Sequence, residues 1–150
     1  MEIHQDFSEL LSEFIAEGVR FLVVGGYAVG VHARPRMTKD LDLFVARNVE
    51  NANRVYRALA RFGAPLDGVT ENDFTSDDLI YQMGRPPVRV DIITAIAGVS
   101  FEEAWEGRLT VSIGGMDVNV IGKRELLKNK KAVGRPQDLA DVDVVTRFGH

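Results

Sequence analysis

Two adjacent glycines at positions 25 and 26 constrain the fold of this chain more than any other feature of its sequence. Residues 20–24, before the glycines, are mostly apolar and favour a strand, whereas residues 27–32, after them, can start a helix. Pro35 ends that helix, and residues 41–45 form a second apolar run that is typical of a strand. This order of strand, glycine turn, helix and strand predicts a mixed α/β fold.

The rest of the sequence divides into short helices and hairpins. Segments with apolar residues at helical spacing are predicted to be helices. Pairs of apolar runs separated by glycine or proline are predicted to be hairpins. The predicted helices are 6–17, 27–32, 51–62, 101–107, 123–132 and 136–148, and the predicted strands are 20–24, 41–45, 79–83, 88–93, 109–113 and 116–121. No repeat or linker interrupts them, so we expect a single α/β (α+β) domain over residues 1–150.

Composition excludes several classes of protein. The chain contains no cysteine, which rules out disulfides, thiolate zinc sites, iron–sulfur clusters and a cysteine nucleophile. Its 18 Lys and Arg against 22 Asp and Glu give a net charge of −4. The longest nearly apolar run, residues 21–31, is shorter than the roughly 18 residues of a membrane span. The acidic N-terminus also lacks the pattern of a signal peptide, so we expect a cytoplasmic protein without membrane contact.

Acidic residues in the predicted strands are the strongest indication of chemistry. Asp40 and Asp42 alternate with Leu41 and Leu43. Because side chains on a strand point alternately to opposite faces, the two carboxylates share one face while the leucines face the core. Carboxylates two residues apart on a strand can reach the same Mg²⁺ ion, with Mn²⁺ as a second option. We therefore predict a metal site at Asp40 and Asp42.

Asp91 is a third candidate ligand, since it interrupts an otherwise apolar strand. A buried carboxylate needs a partner, and that partner could be a metal ion, Arg89 or a helix N-terminus. Three acids on adjacent strands would suit two divalent cations, the arrangement that clamps the reacting oxygens in phosphoryl transfer. The alternative is that all three acids are structural, in a basic-tailed interaction protein.

The flanking residues suggest how a nucleotide could be bound. Gly25 and Gly26 lie where a strand passes into a helix, so their backbone can approach a phosphate closely. Tyr27 follows them and is the aromatic residue best placed to meet a nucleoside, whereas His32 is expected on the surface. Thr38 could cap the next strand or touch a phosphate, and Lys39 adds positive charge. Residues 123–135 hold six basic residues and one acid, of which Lys130 and Arg135 are candidate phosphate ligands.

These residues resemble the signature of the nucleotidyltransferase superfamily, and the small bacterial relatives of the AbiEii toxin nucleotidyltransferases in particular. That signature is an apolar residue, a glycine pair, Asp-hydrophobic-Asp and a later third Asp. The matching residues here are Val24, Gly25-Gly26, Asp40-Leu41-Asp42 and Asp91. The tail is similar to that of the AbiEii group through Lys130, Arg135, Asp138 and Asp141, although Gln137 stands where that tail often has Lys. The resemblance covers residues 19–147.

The resemblance implies a mixed sheet with helices packed mainly on one face. It also implies Mg²⁺ bound by Asp40 and Asp42, with Asp91 completing the metal shell or acting as general base. Members transfer a nucleoside monophosphate from an NTP to a hydroxyl, here of a tRNA, a protein or a small molecule. The resemblance also suggests a biological role for this activity, as a toxin that is paired with a cognate antitoxin. A module that keeps the fold and binds nucleotide without transferring it is the alternative.

Overall fold

The computed structural model of the chain describes residues 3–33, 40–85 and 88–149. Within these ranges the secondary structure follows the predicted order closely. The helices are α1 (Gln5–Ala16), α2 (Gly25–His32), α3 (Val49–Phe62), α4 (Phe101–Glu106), α5 (Lys123–Val133) and α6 (Pro136–Phe148). The strands are β1 (Phe21–Val24), β2 (Asp40–Val45), β3 (Ile80–Arg85), β4 (Val88–Ile93), β5 (Leu109–Ile113) and β6 (Met116–Val120). A short 3₁₀ helix at Glu71–Thr75 was not predicted.

The six strands form one mixed sheet in the order β3-β4-β2-β1-β6-β5. β2 pairs in parallel with β4 and β1 in parallel with β6, while β1 and β2 are antiparallel to each other. The two predicted hairpins, β3–β4 and β5–β6, are antiparallel pairs at the two sides of the sheet. The mixed α/β fold class predicted from the sequence is therefore confirmed.

The register of β2 places its acids at the middle of the sheet. Asp42 lies opposite Val24 of β1 on one side and opposite Asp91 of β4 on the other. Val24 is the last residue of β1, and α2 starts at the next residue. The glycine turn and the acids of two strands consequently meet at one place, which the spacing in sequence alone did not determine.

α2 starts at Gly25, two residues earlier than predicted, so both glycines belong to the first helical turn. The helix is almost entirely buried and contacts β1, β2, α5 and α6. His32, near its C-terminus, is 7% exposed and its ring nitrogen lies 2.6 Å from the carbonyl oxygen of Ile121. The prediction of a surface histidine is wrong, because this hydrogen bond satisfies the imidazole inside the core.

The two C-terminal helices form a hairpin whose turn is visible in the sequence. α5 ends at Gly134, which adopts the left-handed conformation with φ of 70°, and Pro136 occupies the first position of α6. The two helices pack against each other and against α2. Among the described residues, no helix is both long and apolar enough to cross a membrane.

Candidate active site

Three carboxylates converge on one face of the central strands. Asp40 and Asp42 are half-buried, while the intervening Leu41 and the following Leu43 are 1% and 0% exposed. This is the predicted alternation, with the leucines in the core and the acids on the other face. Asp91 joins them because parallel pairing of β2 with β4 sets it directly opposite Asp42.

Burial and the neighbouring acids act strongly on Asp42. The pKa of Asp42 is raised from 3.8 to about 7, first because burial disfavours the charged form and then because of the charges of Asp91 and Asp40. A hydrogen bond between the carboxyls of Asp42 and Asp91 raises it further, and the positive charge of Lys130 opposes the shift. A cation bound beside Asp42 and Asp91 would therefore stabilise the charged forms of these carboxyls.

Arg89 is a basic residue within the acid cluster. Its guanidinium holds both carboxylate oxygens of Asp91, with Nε at 3.2 Å from Oδ1 and Nη2 at 3.3 Å from Oδ2. The hydrogen bond and charge of Asp91 raise the pKa of Arg89, and Asp40 and Asp42 add to the effect. Sequence reasoning considered Arg89 only as a partner for Asp91 and not as a site residue. The signal was the spacing of two residues on a strand, which puts both side chains on one face.

The glycine turn lies against the acids. Gly25 has φ of 67°, a left-handed conformation that favours glycine, and a Cβ built there would collide with the Asp42 carboxylate. Among the described residues, no side chain caps the start of α2, whose N-cap is Val24. The first N–H groups of this helix are thus of the kind that binds phosphate.

The tail of the chain supplies a buried cation beside the acids. The amino group of Lys130 lies 3.3 Å from Asp138 and 3.1 Å from Asp141, and its side chain is 12% exposed. Since its charge also lowers the pKa of Asp42, Lys130 links the α5–α6 hairpin to the acid cluster. The resemblance had grouped these tail residues by motif, and the structure brings them into contact.

Arg135 is the N-cap residue of α6. Its side chain is 60% exposed, and its Nε donates to Asp138 at 2.6 Å. This hydrogen bond, followed by that of Lys130, holds the pKa of Asp138 below its usual value, although burial acts in the opposite direction. Gln137 is exposed one residue before Asp138. A role for Arg135 in nucleotide binding stays a prediction.

One predicted ligand is placed differently from expectation, and two cannot be placed. Tyr27 is 7% exposed and packs edge-on against Phe7 with ring centroids 5.9 Å apart. Its ring is a core side chain in this arrangement, and its contact with a nucleoside stays a prediction. Thr38 and Lys39 fall outside the described residues.

The acid cluster fits a divalent cation by its chemistry. Within the part of the chain that the structure describes, no three His, Cys, Asp or Glu side chains already enclose a metal site. The donor set is nevertheless composed of carboxylate oxygens, which Mg²⁺ prefers. The hydrogen-bonded carboxyls of Asp42 and Asp91, with Asp40 adding negative charge, are the kind of group that such an ion neutralises.

Solved structures with the same architecture are nucleotidyltransferases. The lincosamide antibiotic adenylyltransferase LnuA, with lincomycin bound, matches with a TM-score of 0.59 and 13% identity over 98% of both chains. A putative nucleotidyltransferase from Thermotoga maritima gives 0.59 and 13% identity, over 95% of this chain and 94% of that chain. ANT(2'')-Ia in complex with adenylyl-2''-tobramycin gives 0.60 and 14% identity, over 93% and 84% respectively. At such low identity these matches establish the fold, which is that of the nucleotidyltransferases.

The sequence itself places the chain within that class. Residues 3–149 match the family described as nucleotidyl transferase of unknown function (DUF2204), and the protein belongs to this family. No curated protein matches the sequence.

Proposed function

We propose that the protein is a divalent-metal-dependent nucleotidyltransferase that moves a nucleoside monophosphate from an NTP to a hydroxyl group. The observation that carries this proposal is the pairing of Asp42 with Asp91 beside the turn at Gly25. A phosphate-binding backbone and a carboxylate cluster at one point provide the positioning and the charge neutralisation that phosphoryl transfer requires.

Each part of the site has a separate task in this reaction. Asp40 and Asp42 would hold Mg²⁺ or Mn²⁺, which supplies charge neutralisation at the triphosphate when bound. The backbone of Gly25 and Gly26 binds phosphate oxygens, and Lys130 supplies positive charge from α5. The acceptor oxygen attacks the α-phosphorus, the bond from that phosphorus to the bridging oxygen breaks, and pyrophosphate leaves. Asp91 takes the proton of the acceptor hydroxyl.

The surface of α5 favours an acceptor that carries phosphate, such as a tRNA. Lys123, Arg124 and Lys131 line an open groove of about 630 Å³ along this helix, together with Leu127. Lys128 also lines it but is paired with Glu103 at 2.7 Å. Positive charge of this density attracts nucleic acid backbones, even in a chain whose net charge is −4. Proteins and small molecules are the other acceptors to be tested.

The finer resemblance to AbiEii toxin relatives extends this proposal to a toxin with a cognate antitoxin. A catalytically inactive nucleotide-binding module of the same fold is the competing hypothesis. The presence of Asp40, Asp42 and Asp91 together supports an active enzyme, because a module that only binds nucleotide does not need a general base.

The deciding experiment is calorimetric titration of each of the four NTPs, with and without Mg²⁺, into wild type and Asp40→Asn. Asp117→Asn is the matched control, because Asp117 is an exposed acid on β6. We expect metal-dependent binding in wild type and control and its loss in Asp40→Asn.

Transfer of α-³²P-labelled nucleotide to RNA, protein or small molecules then identifies the acceptor. Metal-dependent binding without transfer to any of these would favour the inactive module, and absence of binding would refute the proposal.

A further inference from the structure

The acid cluster has different neighbours on its two sides in the sheet. On one side is β1, whose end leads into the glycine turn, where Gly25 lies against the carboxylate of Asp42. On the other side lie β4, which carries Asp91, and then β3, the last strand of the sheet. The glycine turn and β3 are therefore on opposite sides of Asp42.

Three uncharged side chains extend the acid face beyond Asp91. Gln82 of β3 is paired with Asp91, and Ile80 is paired with Ile93 of β4. Paired residues of neighbouring strands project to the same face, so Ile80, Gln82 and Ile93 form one surface with the acids, here called the β3–β4 shelf. Ile80 is 62% exposed and Gln82 is also exposed, so both are accessible to a ligand. Gly84, the third residue of β3 on this face, adds no side chain.

The geometry of phosphoryl transfer indicates which substrate approaches the shelf. The attacking and leaving oxygens lie roughly in line through the phosphorus. With the triphosphate held at Gly25 and Gly26, pyrophosphate leaves on the side of β1. The acceptor hydroxyl then enters from the side of Asp91, and the rest of the acceptor lies over β4 and β3. The shelf offers this acceptor apolar surface and one amide, all of them uncharged groups.

We propose that the acceptor is an RNA whose terminal nucleoside lies on the β3–β4 shelf, with its ribose hydroxyl at Asp91, its base against Ile80 and Ile93, and the amide of Gln82 hydrogen-bonded to the edge of the base. This inference rests on the proposed function. Gln82 and Ile80 are about 7 Å apart along β3, a distance that a nucleoside spans. A glutamine amide offers a donor and an acceptor side by side, which matches the edge of adenine. The basic surface of α5 attracts the phosphates of the same RNA.

The competing explanation is that Ile80 and Gln82 are only solvent-exposed residues of an edge strand. Single exposed apolar residues are common on protein surfaces. In that case the protein has no preference for the 3′-terminal base of an RNA that depends on Gln82. A base preference measured with and without the Gln82 amide therefore separates the two explanations.

The test is fluorescence anisotropy with four short RNA oligonucleotides, labelled at the 5′ end, that differ only in their 3′-terminal base. They are titrated with protein in Mg²⁺ and the α,β-methylene analogue of the NTP that binds best, so that no transfer occurs. The variants are Gln82→Leu and Ile80→Ser. Gln5→Leu and Leu109→Ser are the matched controls, because Gln5 is an exposed glutamine on α1 and Leu109 is 44% exposed on β5, the strand at the opposite edge of the sheet.

We expect wild type and both controls to bind the oligonucleotide that ends in adenine about tenfold more tightly than the other three. Gln82→Leu should lose this preference. Ile80→Ser should weaken the binding of all four oligonucleotides, because the apolar contact does not depend on the base. Loss of a preference for any other base in Gln82→Leu would support the same role. Equal binding of all four by wild type, or an unchanged preference in Gln82→Leu, would overturn the inference.

Failure of this inference can be distinguished from failure of the proposed function. Metal-dependent NTP binding without binding of any oligonucleotide would overturn the role of the β3–β4 shelf and leave the proposed function standing. Absence of NTP binding in wild type would overturn both. Circular dichroism melts show whether the variants are folded. If Gln82→Leu is not, Gln82→Asn compared with Gln5→Asn makes the same distinction, since an unchanged base preference after shortening the side chain would refute the role of Gln82.

Discussion

The carboxylate of Asp42 occupies the space that a side chain at Gly25 would need. The contact joins the first residue of α2 to the middle of β2, next to the position where Val24 and Asp42 are paired. A glycine at this position therefore serves the site in two ways, through its left-handed backbone and through the absence of a Cβ.

Gly25→Ala should abolish metal-dependent NTP binding and lower stability. The backbone strain at φ of 67° costs roughly 1–2 kcal/mol, and displacement of Asp42 adds to it. Gly115→Ala is the control, because Gly115 has φ of 80° and a Cβ added there would meet nothing within 4 Å. Urea denaturation and nucleotide titration of both variants measure the difference. A loss of stability and of binding no larger than in Gly115→Ala would contradict the importance of this contact.

Asp42→Asn should make the metal-free protein more stable at pH 8. The folded-state pKa of Asp42, about 7, lies above the usual 3.8, so folding favours the protonated form. Wild-type protein therefore loses stability as the pH rises from about 4 to 7, whereas the amide does not titrate. Thermal melts in EDTA at pH 4 and pH 8 should show a gain of a few degrees for Asp42→Asn at pH 8 only. Equal differences at both pH values would show that Asp42 is not held protonated.

Lys130→Met should destabilise the α5–α6 hairpin. Its amino group is the shared partner of Asp138, which is 1% exposed, and of Asp141. Removal of a buried partner leaves carboxylate charge uncompensated, although Arg135 still holds Asp138, so we expect a loss of about 1–3 kcal/mol. Lys131→Met, at an exposed position on the same helix, is the control and should change stability by less than about 0.5 kcal/mol. Chemical denaturation gives both values.

Asp138 should contribute to acid unfolding. Arg135 and Lys130 hold its pKa below the usual value of 3.8, so its contribution to stability is complete above that value and is lost as the pH falls below it. Asp138→Asn should be less stable than wild type at pH 7 and should lose less further stability between pH 4 and pH 2. Circular dichroism followed during acid titration measures this. A variant whose acid transition matches that of wild type would show that Asp138 is not part of it.

Much of the fold could be predicted from the sequence because its local signals agree with its tertiary structure. Glycine and proline mark the ends of several helices in both the sequence and the structure. Gly63 and Gly134 end α3 and α5, Pro136 starts α6, and the paired glycines separate β1 from the rest of α2. The missed 3₁₀ helix at Glu71–Thr75 is a single polar turn that buries only Phe74, so it has no hydrophobic period to detect.

The candidate site was less predictable, because its geometry depends on contacts between distant segments. Strand alternation correctly put Asp40 and Asp42 on one face, but the pairing of β2 with β4 decides that Asp91 faces Asp42. The burial of Tyr27 depends on Phe7 of α1, and that of His32 on the carbonyl of Ile121. These contacts span 20 and 89 residues of sequence, so local pattern could not show them.

β2 has a neighbouring strand on each side, and this has a consequence for partly unfolded forms of the protein. The sheet cannot release Asp42 without separating β2 from β1 or from β4, and the same separation exposes the buried Leu41 and Leu43. Opening of the site is thus coupled to opening of the core. Amide exchange at these positions should follow the slow, cooperative exchange of the whole domain rather than local fraying, and the protein should lose its site and its fold in a single transition.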